Sequence, residues 1–213
     1  MGRIYDATYG RIFAALYDRA LRGTERAGLR HMRRELLSEA RGRTIDIGAG
    51  TGANLGLFPP AVTELVLAEP DPHMARRLRG RLKSGDTAML IDSPAHRLPF
   101  EDASFDTAVF TLVLCTVPDP ARAIAEAARI LRPGGKLLFL EHVRSEDPAT
   151  ARWQDRLEKP WRLVGDGCHC NRDTVAELEA STLLVHRTER GRVPKALPIV
   201  RPLVRGTALR PPA

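Results

Sequence analysis

The sequence predicts an α/β fold built around a parallel sheet, and three observations predict it. Thr44, Ile45 and Ile47 have the character of a buried strand that breaks directly into a glycine-rich loop at residues 48–52. From residue 43 onward, strand-like apolar runs alternate with helix-like segments. A Pro-Gly-Gly sequence at residues 133–135 then ends a helical segment before another apolar run. This alternation implies at least five parallel strands.

Two amphipathic helices are predicted ahead of this region. Within residues 3–41, apolar side chains recur at spacings of three and four, as on one face of a helix. We expect Gly23 and Thr24 to break the segment into its two helices.

The alternation from residue 43 onward predicts a series of strands and helices. The strands and helices of its first half are expected near 43–47 (strand), 51–58 (helix), 64–69 (strand), 71–83 (helix) and 87–91 (strand). A strand at 105–112 follows, and then a helix that Asp119 caps, with Pro120 in its first turn. That helix should end near Leu131, before a strand at 137–140.

The pattern changes after residue 143. A polar stretch leads to a segment between Trp153 and Trp161, a Gly-Asp-Gly turn at 165–167 and a helix for which Asn171 is a suitable cap. The runs 183–192 and 203–210 predict two final strands, which we expect to form an antiparallel hairpin at a sheet edge.

The glycine-rich loop indicates a nucleotide cofactor, because glycines let the backbone turn sharply and let a ligand approach its amides. The loop alone does not identify the cofactor, since Gly48, Gly50 and Ala53 also satisfy the dinucleotide fingerprint. Asp46 favours S-adenosylmethionine, because from that position a carboxylate can order the loop and face the ammonium of a bound amino acid. Glu69 ends the next apolar run, where it could accept hydrogen bonds from both ribose hydroxyls.

The order of motifs over residues 40–143 resembles a class I methyltransferase. The motifs that complete the series are Leu98-Pro99-Phe100, the strand 105–110 and the sequence 131–136. The resemblance implies a Rossmann-like fold with helices on both faces of a seven-stranded, mostly parallel sheet in the order 3-2-1-4-5-7-6. It also implies S-adenosyl-L-methionine as cofactor.

The same resemblance implies a single domain over residues 1–213, with an N-terminal helical lid (1–41), a cofactor-binding core (42–143) and a C-terminal substrate-side region (144–213). Ala95 is expected to meet adenine through its backbone and His96 by stacking, with Met74 against the adenine face. Asp92, the one nearby acid, is displaced from the usual adenine-binding position. The full predicted cofactor set is Asp46, Gly48, Ala49, Gly50, Gly52, Glu69, Pro70, Met74, Ala95, His96, Thr111 and Leu112.

The middle of the chain also resembles ubiquinone and menaquinone C-methyltransferases, but its outer motifs are more similar to the methyltransferase-like seven proteins, which methylate small alkyl thiols on membranes. These motifs are 111–115, Glu141-His142-Val143 and Asp166-Gly167-Cys168, with Trp161 upstream and 171–174 downstream. The chain departs from that family in lacking an apolar N-terminal anchor and in carrying His169-Cys170.

The resemblance implies catalytic roles for His142 and Asp166, and substrate contacts by Tyr5, Tyr9, Cys115 and Cys168. Tyr17 is a further candidate for the pocket. For His142, just beyond the fifth strand, the proposed role is a base or an acceptor-orienting group. Each residue has a plainer alternative: a histidine hydrogen-bonded at a strand end, an Asx turn at Asp166, ordinary helix packing of the tyrosines and a core thiol at Cys115.

The predicted reaction is S-methylation of a small-molecule thiol, because in-line methyl transfer mainly requires two reactants held in position. Two alternatives remain open. One is C- or N-methylation of a quinone, amine or other small metabolite, and the other is a non-catalytic S-adenosylmethionine-binding protein.

Length, charge and cysteines narrow the class of protein. The 213 residues suit one domain, and no apolar run approaches a membrane span or a signal peptide, so a cytoplasmic protein is expected. The net charge of +7 is spread along the chain among acids, which argues against a nucleic-acid partner. Three cysteines indicate reduced thiols, and no four-ligand metal site is predicted, although Cys168-His169-Cys170 could hold a soft metal. The sequence leaves the oligomeric state open.

Overall fold

A seven-stranded sheet forms the centre of the protein. The computed structural model describes residues 2–212, with side-chain surroundings from residue 10 onward. The strand order is β3-β2-β1-β4-β5-β7-β6. The strands are β1 (Gly42–Ile47), β2 (Val62–Ala68), β3 (Met89–Ile91), β4 (Phe105–Thr111), β5 (Leu131–His142), β6 (Leu184–Arg192) and β7 (Pro202–Leu209).

Strands β1 to β5 pair in parallel, whereas β7 is antiparallel to both β5 and β6. The predicted order and the antiparallel hairpin at the edge are therefore confirmed. Strand β5 is longer than predicted and begins directly after the preceding helix. The Pro-Gly-Gly sequence forms an irregularity inside it, since Phe105 pairs with Leu131 but Thr107 already pairs with Lys136.

Helices cover the sheet, and aspartates begin four of them. The helices are α1 (Gly2–Thr24), a π-helical turn (Glu25–Leu29), α2 (Arg30–Leu37), α3 (Pro72–Arg79), α4 (Pro120–Ile130), α5 (Pro148–Val164), α6 (Thr174–Glu179) and a 3-10 turn (Pro198–Val200). The side chains of Asp71, Asp119, Asp147 and Asp173 accept hydrogen bonds from backbone N–H groups at the starts of α3 to α6. These bonds satisfy donors that a helix start leaves free.

Three local predictions are wrong. Residues 51–58 form successive turns instead of a helix, because Gly52 and Gly56 adopt φ values of 87° and 69°, which a helix cannot contain. The break between the first two helices falls at Gly28, where φ is 146°, and not at Gly23 and Thr24. Asp173 caps α6, while the Asn171 side chain donates to Asp155 at 3.0 Å.

The two faces of the sheet bury separate apolar clusters, as the alternation of side chains along a strand requires. Ala108, Phe110, Leu137 and Phe139 pack on one face with apolar residues of α4. On the other face, Val109, Leu138 and Leu140 pack with Leu29, Leu36 and Leu37. Helix α2, which the sequence assigned to a lid, is thus part of the core.

None of the described helices is long and apolar enough to cross a membrane. The described residues also contain no group of three or more His, Cys, Asp or Glu arranged to hold a metal ion.

Candidate active site

A cavity of about 390 Å³ lies beyond the carboxyl ends of β1, β2 and β4. The chain leaves β1 for β2 on one side and later adds β4 on the other, so the strand order reverses here, where open α/β sheets bind ligands. We call this the cofactor cavity. Ten of the predicted cofactor residues lie in its wall: Gly48, Ala49, Gly50, Glu69, Pro70, Met74, Ala95, His96, Thr111 and Leu112. The other two predicted residues, Asp46 and Gly52, do not line the cavity.

The three loop glycines serve different purposes. A Cβ atom on Gly48 would lie 2.6 Å from Val113 Cγ2, and one on Gly52 would lie 2.6 Å from Leu78 Cδ1. Packing against the stiff Val113 side chain therefore requires Gly48, whereas at Gly52 leucine ends would have to move and the φ of 87° favours glycine. A Cβ atom on Gly50 would meet nothing closer than the Gly48 carbonyl oxygen at 4.0 Å, and Gly50 lines the cavity. The middle glycine thus leaves room for a ligand to approach the backbone, as a nucleotide cofactor requires.

Glu69 joins the glycine loop to the end of β2. Its carboxylate accepts hydrogen bonds from the Gly50 N–H at 2.7 Å and the Asp71 N–H at 2.8 Å. Burial nevertheless raises the pKa of Glu69 to about 7. Each carboxylate oxygen keeps a further lone pair, so the side chain can still accept hydroxyl donors from the cavity.

A buried polar network supports the loop from below. Asn54 Nδ2 donates to the two oxygens of Asp46 at 3.1 and 3.0 Å and lies 2.9 Å from Thr111 Oγ1. Arg33 Nη1 donates to Asn54 Oδ1 at 3.1 Å. Asp46 is 1% exposed, and burial raises its pKa to about 6 although Asn54 and Arg33 act in the opposite direction. Asp46 is thus hydrogen-bonded to Asn54 and does not line the cavity, and its predicted contact with the ammonium of the cofactor stays a prediction.

Arg33 and Asn54 were not predicted from the sequence. Arg33 did carry a signal: it follows Leu29 by four residues and precedes Leu36 by three, so an arginine occupies the apolar face of the helix. Its side chain is 2% exposed and is also paired with Glu25 at 3.1 Å. A buried arginine on such a face indicates a polar partner inside the protein.

Helix α1 forms one side of the site. Phe13 and Tyr17 lie in the cavity wall, and Asp18 accepts a hydrogen bond from Thr51 of the glycine loop at 2.6 Å. Burial raises the pKa of Tyr17 above its ordinary value, so its phenol stays protonated. The predicted substrate residues Tyr5 and Tyr9 belong to the part of α1 whose side chains lie outside the described residues.

A second cavity, also of about 390 Å³, adjoins the first. We call it the acceptor cavity. Phe13, Tyr17, Leu112, Thr116 and Gly165 lie in the walls of both cavities. Three of the predicted residues meet in the acceptor cavity, together with an indole that was not predicted there: His142, Cys115, Cys168 and Trp161. Asp166 instead lines the cofactor cavity, where burial raises its pKa.

His142 is the polar group that distinguishes the acceptor cavity. Burial lowers its pKa to about 4, so the imidazole is neutral at pH 7. The ring interacts with the Val200 carbonyl group, which can only accept, and Nδ1 is buried with no partner among the described residues. In the tautomer that carries its proton on Nε2, Nδ1 holds the lone pair. Trp161 Nε1, in the same wall, is buried near the Cys168 thiol, whose pKa the indole lowers.

The loop after β4 lies between the two cavities and is held under strain. Leu112 adopts a φ of 61°, an uncommon conformation for a residue other than glycine. Its N–H donates to the Leu140 carbonyl at 2.8 Å. The fully buried Glu141 carboxylate accepts from the Val113 N–H at 2.9 Å and the Cys115 N–H at 3.3 Å. These bonds maintain the backbone at the junction between the two cavities.

Comparison with known proteins identifies the family. A methyltransferase domain model matches residues 45–139. The human thiol S-methyltransferase TMT1B is 34% identical over 192 residues, which cover 84% of this chain and 78% of the relative. The human thiol S-methyltransferase TMT1A is 30% identical over 171 residues, covering 78% and 70% of the two chains.

A solved structure shows the same fold. It is a SAM-dependent methyltransferase from Thermotoga maritima, titled a possible histamine N-methyltransferase, with a TM-score of 0.71 and 21% identity over 95% of this chain and 99% of that chain. The order of the seven strands and the cavity at their reversal agree with this likeness. The chain therefore belongs to the family of S-adenosylmethionine-dependent methyltransferases that includes the thiol S-methyltransferases TMT1A and TMT1B.

Proposed function

We propose that this methyltransferase acts on the sulfur of a small thiol whose apolar body occupies the acceptor cavity. The observation that carries the proposal is the His142 imidazole, with its buried and unpartnered Nδ1, in a cavity wall whose described residues include no charged side chain and which adjoins the cofactor cavity. The thiol S-methyltransferase names of two relatives support it.

In this proposal the cofactor contacts are those predicted from the sequence. Gly50 presents its backbone to the cofactor, Glu69 accepts from its hydroxyls, and Met74, Ala95 and His96 surround its base. Asp46 and Gly52 maintain the loop from behind. Bound S-adenosylmethionine supplies an electrophilic methyl carbon for in-line displacement. Helix α1, as the wall common to both cavities, serves as the proposed lid.

The wall of the acceptor cavity favours a neutral nucleophile. Its described residues include no Asp, Glu, Lys or Arg, so a protonated amine would enter without a counter-ion. Ile12, Leu16 and Val164 give the wall an apolar side. A thiol fits this environment because it enters uncharged and needs to lose its proton only as the C–S bond forms, when the sulfur becomes far more acidic.

His142 is the proposed base or orienting group. Its Nδ1 lone pair can accept a hydrogen bond from the acceptor S–H and take the proton as the C–S bond forms. Asp166, in the cofactor cavity wall, is better placed to shape that cavity than to take this proton. Its catalytic role stays a prediction.

A panel of acceptors tests the acceptor atom. Purified protein with S-adenosylmethionine is offered an alkyl thiol, the matching amine and the matching alcohol, and products are identified by mass spectrometry. We expect methylation of the thiol and little or none of its two isosteres. Methylation of the amine in preference to the thiol would overturn the proposal while leaving the methyltransferase assignment in place.

The variant His142→Ala tests the base. For an alkyl thiol at pH 7 we expect kcat to fall about 100-fold, which is typical of losing a general base. For an aryl thiol that is already ionised the loss should be much smaller, and affinity for S-adenosylmethionine should not change. Equal losses for both thiols would indicate that His142 has only a structural role. His96→Ala provides the contrast: because His96 lines only the cofactor cavity, this variant should weaken S-adenosylmethionine binding and affect the two thiols equally.

A further inference from the structure

We propose that Cys115 and Cys168 form a redox-active dithiol that exchanges with small disulfides in the acceptor cavity. The choice of disulfide rests on the proposed function, because a cavity that admits a small thiol also admits the disulfide of that thiol. The exchange itself needs no methyl transfer and can be measured without it.

The two cysteines are brought together by backbone structure. Cys115 follows β4 and Cys168 follows the turn after α5, and the N–H of His169 donates to the Cys115 carbonyl at 2.7 Å. The two thiols lie close enough for each to shift the pKa of the other, and both line the acceptor cavity. Both are free thiols. A pair in contact inside a ligand cavity can react with a ligand as a unit, which an isolated core thiol cannot do.

The surroundings make the two thiols unequal. The hydrogen bond from Cys115 lowers the pKa of Cys168, and the Trp161 indole and Arg172 act in the same direction. The same contact and burial raise the pKa of Cys115. The Arg172 guanidinium is fixed nearby because it donates to the carbonyl groups of Leu114 and Val117, at 2.5 and 2.6 Å. Cys168 is therefore the nucleophile and Cys115 the resolving thiol.

The exchange proceeds in two steps. The Cys168 thiolate attacks one sulfur of a disulfide RS–SR, the S–S bond breaks, and RS⁻ leaves and takes up a proton to become RSH. Cys115, after losing its proton, then attacks Cys168 Sγ of the mixed disulfide and displaces the second RS⁻. The protein loses two hydrogens and gains the Cys115–Cys168 disulfide, while RS–SR is reduced to two RSH. The thiols are released in the cavity where the proposed function requires them.

Cys170 provides an internal control. It is fully buried, its thiol donates to the Gln154 carbonyl, and it is absent from the acceptor cavity wall. Burial raises its pKa to about 11. Although it is only two residues from Cys168, it should not react in the folded protein.

The test uses bis(2-hydroxyethyl) disulfide as the probe and intact-mass spectrometry as the readout, on reduced, folded protein without cofactor. Wild type and Cys170→Ser should each lose two hydrogens, and peptide mapping should find Cys115 joined to Cys168. Cys115→Ser should stop at a single mixed disulfide on Cys168. Cys168→Ser should form no adduct.

Two outcomes would overturn the proposal. One is unreactive wild-type protein whose thiols become reactive only in denaturant. The other is a first adduct on Cys170 or Cys115. Because no cofactor is present, either outcome leaves the proposed methyl transfer untouched, and the wild-type and Cys170→Ser results decide the matter even if another variant does not fold.

Discussion

Replacing Gly48 with alanine should destabilise the protein much more than the same change at Gly50. Both residues have positive φ, 72° and 57°, so both variants carry a left-handed alanine at a cost of about 1 kcal/mol. Only at Gly48 would the new methyl overlap a neighbour, Val113, whose two Cγ atoms lie 2.6 and 2.7 Å from it. Val113 is 9% exposed and β-branched, so it has little freedom to turn away.

Overpacking of this kind adds about 1 to 3 kcal/mol. We therefore expect Gly48→Ala to lower the free energy of unfolding by about 2 to 4 kcal/mol and Gly50→Ala by about 1 kcal/mol. Urea denaturation of both variants without cofactor, compared with wild type, measures the difference.

Cofactor binding gives a second, independent readout on the same pair. In Gly50→Ala the methyl enters the cofactor cavity, so this variant should fold nearly as well as wild type but bind S-adenosylmethionine at least about tenfold more weakly, or about 1.4 kcal/mol. Equal destabilisation of the two variants, or unchanged affinity in Gly50→Ala, would refute the division of roles between the glycines.

Three further predictions follow from buried groups. Affinity for S-adenosylmethionine should fall by up to about tenfold per pH unit below about pH 7. The reason is that the raised pKa of Glu69 lets its carboxylate, which accepts hydrogen bonds from the cofactor, become protonated in that range. In calorimetric titrations, Glu69→Gln should bind the cofactor weakly and without this pH dependence. Gln154→Ala should cost about 3 kcal/mol in urea denaturation, since the amide shares its two N–H groups among three carbonyl oxygens and accepts from the Ser145 N–H. A result near zero, as expected for the exposed Arg152→Ala, would contradict that role. Arg33→Met should lower the free energy of unfolding by about 2 kcal/mol and should weaken cofactor binding, because Arg33 positions Asn54. Unchanged cofactor binding would show that the Arg33–Asn54 hydrogen bond does not support the site.

The cofactor side of the site could be predicted because its signals are local. The glycine spacing, an acid two residues before the first glycine and a second acid at the end of the next strand all lie within 25 residues of sequence, 45–69. The structure places ten of the twelve predicted residues in one cavity wall. The strand order was predicted from the resemblance, and the sheet confirms it.

The features of the site that were not predicted depend on contacts between distant parts of the chain. Arg33 meets Asn54 across 21 residues, and Cys115 is brought near Cys168 across two helices and a strand, so no local pattern predicts either contact. The helix predicted at 51–58 failed for a different reason. Gly52 and Gly56 adopt left-handed φ, and apolar spacing alone does not report this. Asp166, which its motif assigned to catalysis, lines the cofactor cavity, and its catalytic role stays a prediction.

The central claim is that a cofactor cavity and an adjoining acceptor cavity bring a methyl group to a thiol sulfur. The most direct measurement is incubation of the purified protein with S-adenosylmethionine that carries a deuterated methyl group and a small alkyl thiol, followed by mass spectrometry of the thiol. We predict one labelled methyl on sulfur, formed by wild type and strongly reduced in His142→Ala. Tight binding of the cofactor with no label on the thiol would contradict the claim.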